Sequence, residues 1–303
     1  MISKLVSHIL PHMPQKLVWQ FSKDYIAGET IQDAIDVSRA LNRKNILITL
    51  DILGEFIENI DQARENRDQY IHLINTVEGT EVQGNYSIKP TMFGLLLEKE
   101  TCFLYMRDIV AAAADHGNFV RIDMENSSTV DDTIEIFRRI KSEYPKNVGL
   151  VVQAYLKRTR SDIASLLDLK SDEADLNLRL CKGIYVESPA IAYKKYHEIN
   201  THYLEDLEFM FQNGVYPGIA THDKPLIEGA LDLIKKYRIP RDRYEFQMLY
   251  GVTPKQRQSL VDQGHKLRVY VPFGKHWFGY STRRLKENPA MVSHIVKALI
   301  ARG

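Results

Sequence analysis

The chain has 303 residues, 44% of them apolar and 26% charged, with 40 Lys plus Arg against 39 Asp plus Glu and a formal charge of +1. This composition excludes a disordered or collagen-like chain, and the charge balance lacks the basic excess of a nucleic-acid binder. The length fits two domains of about 150 residues or a single (βα)8 barrel of about 250.

The N-terminus reads MISKLVSHILPHMPQKLVWQF. His8 and Pro11 interrupt its apolar stretch and no small-residue cleavage site follows, so it does not read as a secretory signal. No apolar run reaches the roughly 18 residues of a bilayer span. A helix packed on the domain is the preferred reading, over a surface helix touching lipid. Residues 30–42 form an extra helix ahead of the first strand. The expected division is an N-terminal helical segment, 1–44, and a catalytic barrel, 45–303.

Eight short apolar or β-branched runs follow, at 45–51, 84–89, 119–124, 148–154, 176–182, 218–221, 244–248 and 267–271. Longer stretches of helical periodicity lie between them, among them 93–115, 130–144, 189–213 and 225–237. Strands alternating with helices imply parallel β-α units. Eight such units close a (βα)8 TIM barrel of the α/β class; a doubly wound open sheet is the competing arrangement.

Strands of a closed parallel barrel are usually apolar on both faces. Here Lys89, Asp123, Gln153, Arg179, Lys182, Gln247 and Tyr270 stand at or near strand ends. Barrel active sites are built at the C-terminal strand ends. One polar strand end is a routine hydrogen-bonder, whereas convergence from six strands marks a site. Alternation adds a layer beneath: an inward Asp123 brings Arg121, Gln247 brings Glu245, and Tyr270 brings Arg268. A buried charge needs a partner, so Arg121 and Arg268 are expected against Glu245 or Asp51.

Cys102 and Cys181 form no C-x-x-C, which supports neither a thiolate zinc site nor a disulfide. The histidines form no H-E-x-x-H or comparable metal set. The last strand runs into YVPFGKHWFGYSTRRLKENP. Pro272 and Gly274 make a turn, and a final helix over 276–287 is expected to lie across the barrel mouth. Tyr280, Arg283, Arg284 and Glu287 share one face of it, at i, i+3, i+4 and i+7. Paired guanidinium forks suit a carboxylate substrate. An exposed Arg–Glu pair with a purely structural role explains the same spacing.

R-L-C-K-G-I-Y-V-E at 179–187, A-T-H-D at 220–223, E-F-Q-M-L-Y-G at 245–251 and the segment 270–288 resemble the motifs of the proline dehydrogenase family. S-I-K-P around Lys89, R-I-D-M around Asp123 and V-V-Q-A-Y around Gln153 extend the resemblance upstream. It covers the whole barrel, all but roughly the first 40 residues. The resemblance implies an FAD-dependent barrel that oxidises L-proline to Δ1-pyrroline-5-carboxylate and passes electrons to a membrane quinone, ubiquinone or menaquinone. It implies that Arg283, Arg284 and Lys89 bind the proline carboxylate, that Glu287 holds the arginines, and that Asp123 lies near the reacting ring and pairs with Lys89. Tyr185, Leu249, Tyr270 and Tyr280 would wall the pocket. Gln153, Arg179, Lys182, Gly183, Ile184, Thr221, His222, Asp223 and Gln247 would contact FAD, together with Asp123, Arg284, Glu287 and Asn288.

Three cations around the carboxylate would lower the pKa of the amine and favour the neutral form from which hydride can leave. No G-x-G-x-x-G follows a first strand, so FAD would not bind as in a Rossmann fold; Arg179 and Lys182 would meet its pyrophosphate. Asp223 stands where Asn is usual and would add a negative charge near the flavin. Ile184 stands where Ala is usual and would narrow the pocket. Cys181 stands where Val is usual, as a small core residue. Tyr270 is retained, which favours proline over hydroxyproline. The length leaves no room for an aldehyde dehydrogenase half. A monofunctional bacterial-type enzyme is therefore expected, cytoplasmic or peripheral on the inner face of the membrane, with its product passing to a separate pyrroline-5-carboxylate dehydrogenase. Competing readings are a flavin barrel reductase using a pyridine nucleotide and a folate-like substrate, and a barrel that binds a metabolite without turnover.

Overall fold

The structure is a computed structural model that describes residues 19, 22–54 and 57–281. Eight parallel strands close into one barrel: β1 (Leu47–Ile52), β2 (Gly84–Ile88), β3 (Val120–Ile122), β4 (Val148–Gln153), β5 (Asn177–Cys181), β6 (Tyr216–Ala220), β7 (Glu245–Leu249) and β8 (Leu267–Phe273). Each pairs with the next, and β8 pairs with β1 over Leu47↔Arg268 to Ile52↔Phe273. Helix α1 (Ile31–Asn42) precedes β1. Helices α2 (Ile60–Glu78), α3 (Lys99–Asp115), α4 (Val130–Glu143), α5 (Thr159–Ser165), α6 (Tyr196–Gln212), α7 (Lys224–Lys236) and α8 (Pro254–Asp262) follow β1 to β7 in turn. The backbone turns helical again at 277–281.

Local chemistry accounts for these elements. Thr30 and Asp33 form a reciprocal capping box that starts α1, satisfying two otherwise orphaned N–H groups. Val130, Ile136, Phe137 and Ile140 of α4 recur at helical spacing and are all buried, so that face packs on the barrel. Within the strands, Ile48, Leu50, Ile122, Leu150, Leu180 and Val269 are fully buried and alternate with the polar set that fills the interior. Long polar side chains fit inside because β4 and β6 supply glycine. A Cβ on Gly149 would stand 2.5 Å from Nη1 of Arg121, and one on Gly218 would stand 2.5 Å from Nε2 of Gln247.

The barrel and the extra helix ahead of it match expectation, while two helix starts differ. The helix expected from 93 begins at Lys99, because Pro90–Phe93 forms a short 3₁₀ turn closed by Gly94 at φ +96°. The helix expected from 189 begins at Tyr196. The chain before it turns at 189–191 and is tied to the loop after β4 by Lys157 N–H to Ile191 O (2.9 Å) and Tyr193 N–H to Tyr155 O (2.8 Å).

The segment ahead of α1 edges the end of β8. Ala27 N–H donates to Pro272 O and Gly274 N–H to Gly28 O, both at 2.9 Å. Trp19 and Trp277 meet with ring centroids 4.8 Å apart, and Trp277 Nε1 donates to Glu29 at 2.8 Å. Of the N-terminal stretch 1–21 expected to hold a helix, residues 1–18, 20 and 21 lie outside the described residues. Among those described, no helix is long and apolar enough to cross a membrane.

Candidate active site

At the C-terminal strand ends, β1, β2, β3 and β8 bring four side chains together. Lys89 Nζ lies 2.6 Å from Oδ1 of Asp51 and 3.7 Å from Oδ2 of Asp123. It also donates to the Tyr270 hydroxyl at 3.1 Å, which in turn donates to Oδ2 of Asp123 at 2.9 Å. Oδ1 of Asp123 accepts from Ser87 Oγ (2.6 Å) and from Nη1 of Arg179 (2.8 Å). Burial alone would lower the pKa of Lys89, but Asp51 and Asp123 override it and raise the ammonium above its ordinary range. Burial raises the Asp51 carboxyl against the pull of Lys89. Burial and then Asp123 raise the Tyr270 phenol well above its usual value, so it acts as a neutral donor. Two cations, Lys89 and Arg179, thus face two acids, Asp51 and Asp123.

A second layer lies beneath. Arg179 Nε donates to Gln247 Oε1 at 2.5 Å, and Gln247 Nε2 donates to Glu245 Oε1 at 2.6 Å. Arg268 grips Glu245 through Nε (2.7 Å) and Nη2 (3.1 Å). Burial alone would raise the pKa of Glu245, but Arg268 overrides it and holds the carboxyl at about 2. Arg268 therefore pairs as expected, whereas Arg121 does not. Its Nη1 donates to Leu150 O (3.2 Å) and Asn177 O (2.8 Å), and its Nη2 to Asn177 Oδ1 (2.6 Å). Neither Glu245 nor Asp51 forms an ion pair with it, because Arg268 occupies the first and Lys89 the second.

The rim over β4 to β7 carries the remaining expected residues. Gln153 Nε2 donates to Met124 O at 3.2 Å, while its buried Oε1 has no hydrogen-bond partner. Gly183 has φ +101°, and a Cβ there would stand 2.1 Å from the Tyr155 ring, so only glycine fits. Lys182 and Asp223 form an ion pair. Asp223 also accepts from Tyr196 OH (2.8 Å) and Asn200 Nδ2 (3.2 Å). Burial alone would raise its pKa, but the bonds from Lys182, Tyr196 and Asn200 lower it. The negative charge expected at Asp223 is thus matched locally by Lys182. Thr221 Oγ1 accepts the Asp223 N–H at 3.1 Å. Leu249 N–H donates to His222 Nε2 at 2.8 Å, which puts the ring proton of a neutral His222 on Nδ1.

Tyr280 is buried, Tyr185 and Leu249 are half-buried, and Ile184 is 58% exposed at the mouth. Cys181, at the end of β5, is half-buried, and burial pushes its thiol up to about 11. Arg283, Arg284, Glu287 and Asn288, with the expected helix beyond 281, lie outside the described residues. Sequence reading missed Asp51 and Ser87 as members of the upper cluster. Asp51 carried a usable signal, since it ends the first apolar run with an acid, in the position where the other strands carry their polar residues.

A family model described as Proline dehydrogenase matches residues 34–297. Similar proteins include Proline dehydrogenase 1 of Bacillus subtilis subsp. natto, 34% identical over 306 residues, covering 98% of this chain and 99% of that one. Proline dehydrogenase of Deinococcus radiodurans is 33% identical over 292 residues, covering 95% and 93%. Among solved structures, proline utilization A (PutA) from Bdellovibrio bacteriovorus, described as inactivated by N-propargylglycine, superposes with a TM-score of 0.84 at 25% identity. That match covers 89% of this chain and 33% of the other.

Proposed function

The chain belongs to the proline dehydrogenase family, and from that membership we propose that it oxidises L-proline to Δ1-pyrroline-5-carboxylate with FAD as its cofactor. The observation that carries the reading is the cluster of Lys89, Asp51, Asp123 and Tyr270 at the strand ends of the family-matched barrel. FAD supplies the hydride acceptor when bound. The residues present suit it. Gln153 keeps a buried carbonyl oxygen without a partner, ready for a ring N–H. Lys182 offers a cation for a phosphate, and Gly183 brings bare backbone to the rim.

In this reading Lys89 holds the proline carboxylate as one of three cations. Arg283 and Arg284 supply the other two, and Glu287 steadies them. The surrounding positive charge favours the neutral ring amine. Asp123, tied by Arg179, Ser87 and Tyr270, sits beside the reacting ring. Tyr270, Tyr280, Tyr185 and Leu249 exclude water, and Tyr270 crowds a hydroxylated ring. Gln153, Arg179, Lys182, Gly183, Ile184, Thr221, His222, Asp223 and Gln247 contact FAD, with Asn288 from the final helix. Electrons leave for a membrane quinone, ubiquinone or menaquinone, at the inner membrane face. The product passes to a separate pyrroline-5-carboxylate dehydrogenase.

The test is to incubate the purified protein with L-proline and a soluble quinone and to trap the product with o-aminobenzaldehyde. A yellow adduct that depends on both reagents supports the proposal. No adduct from a flavin-loaded protein overturns it.

A further inference from the structure

The opposite end of the barrel holds a cavity of about 330 Å³, framed by Arg121, Arg268, Lys266, Glu245, Asn85 and Asn177. It opens at the N-terminal strand ends, away from the cluster around Lys89. Its charges are unbalanced. Glu245 is gripped by Arg268 through two bonds. Asp175, the other acid in the wall, is gripped by Arg243 at 3.0 and 2.9 Å. Both carboxylates are therefore already engaged by guanidinium groups.

Two cations remain. Lys266 approaches Glu245 only at 4.0 Å and keeps 42% of its side chain exposed. Arg121 is 1% exposed, its three hydrogen bonds all go to neutral oxygens, and its buried Nε has no partner. Burial, and then the neighbouring Arg179, push this guanidinium down to about 9 against the opposing pull of Glu245. A charge left unpaired in a protein interior is strongly destabilising. Asn85 adds a donor side: its Oδ1 accepts from Thr49 Oγ1 at 2.5 Å, which turns its NH₂ group away from Thr49. Arg121 and Lys266 thus line a space that takes several waters at about 30 Å³ each.

We propose that this N-terminal mouth binds a small oxyanion, a phosphate or carboxylate, between Arg121 and Lys266. The bound anion completes the charge balance of the lower barrel, and it is independent of proline and of the flavin. Charge-assisted bonds from a guanidinium fork and an ammonium are the usual means of holding such groups.

The experiment follows the thermal midpoint of the FAD-loaded enzyme against inorganic phosphate, and separately malonate, with KCl holding ionic strength constant. A saturable rise is expected, since a ligand that binds only the folded state stabilises it. Lys266→Met, at a half-exposed position, should raise the half-saturating concentration about tenfold, and Arg121→Met should abolish the response. Should Arg121→Met fail to fold, Lys266→Met decides. A response to phosphate alone assigns a tetrahedral anion, and one to malonate alone assigns a carboxylate. A flat response to both, or a rise left unchanged by Lys266→Met, overturns the proposal.

Discussion

The upper and lower halves of the barrel interior are built from the same residue types and arranged to opposite ends. Above, Asp123 is shared by Lys89, Arg179 and Tyr270, and Lys89 is shared by Asp51 and Asp123. Below, Arg268 closes on Glu245 through two bonds and also on Ile48 O. Sharing leaves donors that a ligand can recruit. Closure produces a strut that a ligand cannot recruit without breaking a buried pair. Gln247 links the halves, donating to Glu245 below and accepting from Arg179 above.

Lys89→Met should break the upper half chemically. We expect kcat/KM for proline to fall about 10²–10³-fold, the cost of losing one preorganised charge, measured by steady-state turnover. Folding should suffer less than below, because Asp51, whose carboxyl burial already raises, can take up a proton.

Arg268→Met should break the lower half structurally. It leaves Glu245 buried without its partner, and urea unfolding should show a loss of about 3–5 kcal/mol, with KM for proline little changed. A large rise in KM without instability would reverse the roles assigned to the two halves.

The same strut sets an acid limit. Glu245 lies at about 2 in the folded protein against a usual 4.5. A carboxyl depressed on folding stabilises the protein above its unfolded pKa, and that stability is lost as pH falls through the folded value. Unfolding free energy should therefore decline between pH 4.5 and about 2, by an order of about 3 kcal/mol from this group. Glu245→Gln should flatten that part of the pH profile. An unchanged slope would remove Glu245 from the account.

The smallest effect is expected at Asp223→Asn. Releasing Lys182 from its ion pair should tighten FAD binding between about two- and fivefold, the scale of a partly exposed pair, as read by FAD titration of the apoprotein. Weaker binding would mean that Asp223 orients Lys182 rather than competing for it.

Much of this contrast is legible in the sequence. Eight apolar runs, six of them with polar residues at or near their ends, give the barrel and its working end, and two-residue alternation turns Glu245 and Arg268 inward. The partner of Arg121 was not legible. Carbonyls and the Asn177 amide have no charge signature, and Gly149, which makes the room for Arg121, looks like any strand glycine. The neutralisation of Asp223 was hidden for a related reason. It depends on Tyr196 and Asn200 of α6, whose first turn is placed by backbone bonds across to the loop after β4. The late start of α6 follows from those same bonds, which periodicity does not register.

The central claim, that the shared upper cluster serves proline oxidation by a flavin, meets its most direct test in an anaerobic titration with L-proline, followed by visible absorbance. The account predicts a yellow protein that bleaches with L-proline, and a Lys89→Met variant that stays folded, keeps its colour and bleaches far more slowly. A flavin-loaded protein whose spectrum ignores L-proline would contradict it.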